Sequence, residues 1–149
     1  MPLLRGFSVI DQEGGLSIPS HIRKEAGLDI ADSVAIKVVR IKGSTRWPYL
    51  IAHHTKINPR FSRFEVTMMK SQGSIDDNGR LTFELDVLEQ TKFEPNYRAE
   101  IKLAGPRREP WLVIRNRGSN RLTTLQKKLG RRRDGGRNME KWQIQKWEY

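Results

Sequence analysis

The chain has 149 residues, 36% of them hydrophobic and 30% charged, and its 28 Lys/Arg against 17 Asp/Glu give a net charge of +11. Such a length suits one compact domain or two small units sharing one core. The absence of cysteine excludes disulfides and thiolate metal sites. No run approaches the roughly 18 apolar residues needed to span a bilayer, and the opening Met1–Gly6 is too short for a signal peptide, so a cytoplasmic, nucleoid-associated location is expected.

In chain order, Phe7–Ile10 is a short β-prone run and Asp11–Gly15 is turn chemistry, since glycine reaches positive φ without steric cost. Leu16-Ser17-Ile18 alternates as a half-buried strand does. Pro19 suits a helix start, Ser20–Ala26 makes one or two helical turns, and Gly27 ends them. After the turn Asp29–Asp32, Ser33–Ile41 reads as a strand with Val34, Ile36 and Val38 on one face. Arg46-Trp47-Pro48-Tyr49-Leu50-Ile51 leads into a closing strand. Ala52–Lys70 reads as a polar crossover connection that includes a further strand in one reading.

The order then repeats. Ile10–Val39 aligns with Ile75–Ala104 at a constant offset of 65 residues, with glycine facing glycine at the turn and apolar facing apolar at nearly every inferred core position. In the second copy Asn78-Gly79 suits a type I′ turn, Leu85–Thr91 is the helix, and Arg98–Leu103 is the last matched strand. Arg108-Glu109-Pro110-Trp111-Leu112-Val113 repeats the closing block at an offset of 62. A ββαβ unit of about 40 residues is too small to bury a core alone, so the two must share one. The expected architecture is mainly β, a β-barrel with short helices. Residues 1–52 form the first half, 53–70 the crossover, 71–115 the second half and 116–149 a basic tail.

The run Asp11-Gln12-Glu13-Gly14-Gly15-Leu16-Ser17-Ile18-Pro19-Ser20-His21-Ile22-Arg23-Lys24-Glu25-Ala26-Gly27-Leu28, followed by Ala31–Ile36, resembles the AbrB/MazE/SpoVT swapped-hairpin family. The tandem arrangement is similar to that of the MraZ family. The resemblance implies a swapped-hairpin barrel and a transcriptional regulator of double-stranded DNA. It also implies that Arg23 and Lys24 of the first copy and Arg80 of the second face the DNA. Three departures stand out: Gly15 and Ala31 in place of the family's Arg and Gly, and, in the second copy, Glu84 and Leu88-Glu89 in place of Pro and a basic pair. Arg can grip phosphate oxygens or a guanine edge in bidentate fashion. The alternatives are a solvated helix face for Arg23 and Lys24, and a salt bridge to Asp76 or Asp77 for Arg80.

A net charge of +11 points to a polyanionic partner; the plainer reading is a basic protein that binds nothing in particular. Residues 116–149 hold ten Lys/Arg and three Asp/Glu, a net +7. There Leu122, Leu125 and Leu129 fall at helical spacing, with Lys127, Lys128, Arg131, Arg132, Arg133 and Arg137 as phosphate-binding candidates. Trp142, Trp147 and Tyr149 supply stacking aromatics. A solubilising arm, aromatics docked on the barrel, or a contact to a protein partner or a further copy of the chain are the other readings of this tail. His21 and His53-His54 lack carboxylates at ligand spacing, so no metal is expected, and no catalytic motif, nucleotide-binding glycine pattern or cofactor site stands out. The expectation is a non-enzymatic DNA-binding regulator. The rivals are a structural subunit of a nucleoprotein assembly and an antitoxin, and the basic tail argues against the latter.

Overall fold

The computed structural model describes residues 4–60 and 62–119. Its elements are β1 (Arg5–Val9), β2 (Gly15–Ser17), α1 (Ser20–Glu25), β3 (Ser33–Ile41), β4 (Tyr49–His54), β5 (Glu65–Ser74), β6 (Arg80–Thr82), α2 (Leu85–Thr91), β7 (Tyr97–Ala104) and β8 (Trp111–Ser119). The fold is mainly β with two short helices. Six antiparallel strands form a sheet in the order β1-β7-β8-β4-β3-β5, and β2 pairs with β6 in a separate ladder. No closed barrel forms among the described residues: β1 and β5 are the ends of the large sheet.

Strands of one copy pair with strands of the other. β1 lies on β7 with Arg5 opposite Lys102, and β5 lies on β3 with Lys70 opposite Lys37, the same pairing displaced by the repeat offset. The two ladders that are their own counterparts mark a pseudo-two-fold axis. Leu16 faces Leu81 in β2·β6, and Ile51 faces Val113 in β4·β8. One apolar cluster fills the space between the large sheet and the layer of hairpins and helices. It joins Val34, Ile36, Leu50, Ile101, Leu112 and Ile114 from the sheet with Leu16, Ile22, Leu28, Leu81, Phe83 and Val87 from that layer. Burying each Leu or Ile contributes roughly 1.5–3 kcal/mol, and neither half can do so alone.

The turns obey the repeat more closely than the side chains do. Asp11 Oδ1 accepts from the amides of Glu13 and Gly15, both at 2.9 Å, and Asp76 Oδ1 accepts from Asn78 at 2.9 Å and Arg80 at 3.0 Å. This replaces the expected type I′ turn: Gly79 has φ +74° but Asn78 stays at negative φ, whereas type I′ needs both positive. The carboxylate at the first turn position, not the Asn-Gly pair, sets the geometry.

Each helix ends on a left-handed residue, Gly27 at φ +70° and Lys92 at φ +62°, and each following turn contains another, Ala31 at φ +70° and Asn96 at φ +73°. Alanine gains nothing from that region, where an L side chain costs roughly 1–2 kcal/mol. Part of that is offset by the lower unfolded-state entropy of a non-glycine residue. Ala31→Gly is therefore expected to stabilise the protein by about 0.5–1 kcal/mol in urea unfolding. A loss of stability would show that the Ala31 methyl, rather than its backbone, holds the turn.

Several boundaries differ from the sequence reading: β8 runs on to Ser119, past the expected start of the tail at residue 116. β4 runs on to His54, and β5 takes in ten residues from Glu65, so the connection shrinks to residues 55–64. β5 alternates half-buried and exposed residues throughout. It is an edge strand, and its polar composition hides its period.

Candidate nucleic-acid interface

Arg80 does not face solvent as a free cation. Its Nε donates to Asp11 Oδ2, and its Nη2 donates to Asp11 Oδ1 at 2.9 Å and Glu13 Oε2 at 3.2 Å. Asp76 Oδ2 lies 3.8 Å from Nη1. The guanidinium thus ties the second hairpin to the first, and it holds the Asp11 carboxyl well below the usual carboxylate range. It also explains the departure at Gly15. A Cβ on Gly15 would collide with the Arg80 guanidinium, so one arginine and one glycine share a space that two arginines cannot occupy.

Arg23 plays a related part in the other half. Its Nη1 donates to the carbonyl of Leu28 at 3.0 Å, closing the end of α1, and its Nε lies 3.4 Å from where a Cβ on Gly79 would stand. Its repeat counterpart Leu88 packs over Gly14 in the same way, with Cδ1 at 2.7 Å from such a Cβ. Lys24 is exposed on α1. Lys127, Lys128, Arg131, Arg132, Arg133 and Arg137 lie outside the described residues.

The surroundings of these residues are acidic. Residues 10–32 and 75–97, which build the hairpins, helices and following turns, hold eleven Asp/Glu and four Lys/Arg, a net −7. The other described residues hold fifteen Lys/Arg and three Asp/Glu, a net +12. The charge is therefore segregated into an acidic layer and a basic sheet with its loops.

On the large sheet the cations stand on the face away from the core, because the alternate positions fill the core cluster. One row across all six strands reads Arg5, Lys102, Val113, Ile51, Lys37, Lys70. A flanking row holds Phe7, Glu100 and Arg115 on β1, β7 and β8, and Tyr49, Val39 and Thr67 continue it on β4, β3 and β5. Arg98 lies 4.2 Å from the Phe7 ring centre and Arg115 lies 4.4 Å from that of Tyr49. Lys37 and Lys70 are directly opposed like charges, an arrangement that costs stability in a sheet. Burial first, and then Lys70, push the Lys37 ammonium below its usual range.

Two hairpin loops rim this face. Gly43, at φ +81°, and Gly105, at φ +83°, occupy equivalent turn positions, and the loops carry Lys42 and Arg46 on one side and Arg107 and Arg108 on the other. Beside the first loop Arg46, Arg115 and Arg117 line a polar pocket of about 140 Å³ with Trp47, Tyr49 and Asn116. The equivalent positions in the other half are Arg108, His53 and Thr55, so the halves are unlike here. The sheet cations are accessible from sequence: placing Val34, Ile36 and Val38 inward puts Lys37 outward.

Two buried ionisable groups sit within this face. Burial pushes the Glu100 carboxyl up, but Arg117 at 2.7 Å, then Lys102 and Arg5, outweigh it and hold it below its usual range. His53 is 3% exposed, and its ring Nδ1 lies 2.7 Å from the His54 carbonyl. Burial, with Lys37 and His54 nearby, depresses its pKa. For all three groups, Asp11, Glu100 and His53, the folded pKa lies below the unfolded one. Each therefore contributes stability above its unfolded pKa that is lost as pH falls. The unfolding free energy is expected to fall in two steps, one beginning near His53's unfolded value of about 6.5 and one below about 4.5. Urea unfolding across pH 3–8 checks this, and His53→Gln should remove the upper step. A flat profile from pH 7 to 5 would refute the His53 assignment.

Among the described residues no helix is long and apolar enough to cross a membrane, and none of their side chains form a group fit to hold a metal ion. No family model matches the chain, and no curated protein matches it. Among solved structures it is similar to the solution structure of PHS018 from Pyrococcus horikoshii, at 18% identity over 78% of this chain and 95% of that one, with a TM-score of 0.41. None of these comparisons supports membership of the AbrB/MazE/SpoVT family, which stays a resemblance carried by residues 11–36.

Proposed function

We propose that the protein is a non-enzymatic regulator that binds double-stranded DNA, with two interleaved halves of the swapped-hairpin type. In this reading it grips phosphates with the outer sheet face and its two basic hairpin loops, not with the hairpin–helix layer that the family resemblance implies. The observation that carries this is the charge segregation, +12 on the sheet side against −7 on the other. A polyanion is drawn to the first and repelled by the second. Duplex is favoured over single strands because the rings of Phe7 and Tyr49 on this face already carry partners. Phe7 lies beneath Arg98, and Tyr49 packs with Trp111, which leaves phosphate binding rather than base stacking as the main source of affinity.

The test is fluorescence anisotropy of the full-length protein with duplex DNA, single-stranded DNA and RNA from about 50 to 300 mM salt. The expected result is duplex preference and a log–log salt slope reporting about five or more neutralised phosphates. No duplex binding at the lowest salt would overturn the proposal. A preference for RNA or single strands would move the protein to the nucleoprotein-assembly reading.

A further inference from the structure

The acidic layer contains an apolar groove. It has a volume of about 410 Å³, a floor of Ile10, Phe83, Leu85, Leu88 and Phe93, and carboxylates at its rim from Glu13, Glu89 and Glu94. Leu85 is 69% exposed there, although it begins α2, where a polar residue would serve the helix equally well. The first half does not repeat the apolar floor. Its equivalents of Leu85, Leu88 and Glu89 are Ser20, Arg23 and Lys24. The apolar floor is thus particular to one half, and an apolar cleft of this size with polar groups at its rim is the usual form of a binding site.

The chain itself leads to it. The last described strand ends at Ser119, which pairs with Tyr97. The Tyr97 carbonyl accepts from the Ile10 amide at 2.9 Å, and the Asn96 amide donates to the Ile10 carbonyl at 2.7 Å. Ile10, Glu94 and Pro95 line the groove, so the described chain ends at its edge. Residues 120–149 hold nine Lys/Arg and three Asp/Glu, a net +6, together with Leu122, Leu125, Leu129, Trp142 and Trp147. At up to about 3.3–3.6 Å per residue, a few of them suffice to cross it.

We propose that the groove between the first hairpin and α2 is the docking site of the chain's own C-terminal segment, residues 120–149. Apolar side chains of the segment fill the floor, and its cations meet Glu89, Glu94 and the neighbouring acids of α2. The inference is independent of the nucleic-acid reading. It rests on the groove, the opposite charges and the place where the described chain ends.

The natural absence of cysteine allows a clean test on the full chain. A nitroxide is attached at Gln90→Cys, exposed on α2, or as a reference at Gln72→Cys, exposed on β5. Amide signals of residues 120–149 are then recorded by NMR. The Gln90 label should reduce the intensity of signals in this segment by more than half, and the Gln72 label should not. Leu85→Lys/Glu89→Lys, both exposed in the fold, should abolish the effect. No broadening from position 90, or broadening that survives the double substitution, would overturn the proposal. Broadening seen only between differently labelled chains in a mixed sample would also overturn it, because the occupant would then be a second copy.

Discussion

Gly15→Arg is expected to destabilise the protein by about 3 kcal/mol, Arg80→Gly by about 2 kcal/mol, and the two together by far less than their sum. Gly15 does not use positive φ, so its backbone tolerates any side chain. What excludes one is the Arg80 guanidinium lying over it. Forcing a second arginine into that space displaces Arg80 from Asp11 and sets two cations against each other. Removing Arg80 leaves Asp11, Glu13 and Asp76 as neighbouring anions without their common partner. Asp11 is 42% exposed, which keeps the cost below the 3–5 kcal/mol of a broken buried pair. The double variant exchanges the residues across the pseudo-two-fold axis: Ser17 faces Arg80 and Gly15 faces Thr82 in β2·β6. An arginine at 15 would then lie over a glycine at 80, within reach of Asp76. Urea unfolding of the four proteins measures the coupling, and additive effects would refute this account of the missing arginine.

That exchange shows what the sequence discloses and what it withholds. The repeat offset, the turn glycines, Pro19 and the alternation of Ser33–Ile41 are local signals, and the elements they mark form where expected. α2 spans Leu85–Thr91 and β3 spans Ser33–Ile41, in agreement with the sequence pattern. The reciprocal replacement at positions 15 and 80 is also visible, but its meaning is not. Sequence shows that one copy lacks an arginine, not that the other copy's arginine fills the place. The candidate site suffers from the same limit. Arg23, Lys24 and Arg80 belong to a linear motif, whereas the basic face gathers single cations from β1, β3, β5, β7 and β8, spread over residues 5–117. Their acidic counterweight likewise comes from two segments far apart in the chain. Segregation of this kind becomes visible only when strand order is known.

Lys37→Ala/Lys70→Ala is expected to weaken duplex DNA binding by about 10–100-fold at moderate salt and to lower the salt slope by about two, one for each phosphate no longer neutralised. The same pair of substitutions should leave stability unchanged or raise it, because two directly opposed cations are removed from neighbouring strands. That combination separates function from structure. A residue kept for packing loses stability when truncated, whereas a residue kept for a polyanion at a cost to the fold loses affinity and gains stability. Lys24→Ala, on the acidic layer, should change neither quantity by more than a small factor. Arg23→Ala should lower stability by roughly 1 kcal/mol, because the Leu28 carbonyl no longer receives its hydrogen bond, while affinity holds. Anisotropy titrations over a salt series and urea unfolding on the same preparations give both readouts. If Lys24→Ala or Arg23→Ala weakened binding more than the Lys37/Lys70 pair did, the DNA face would be the hairpin–helix layer after all. The excess of acid there would then have to be overcome by cations of the C-terminal segment.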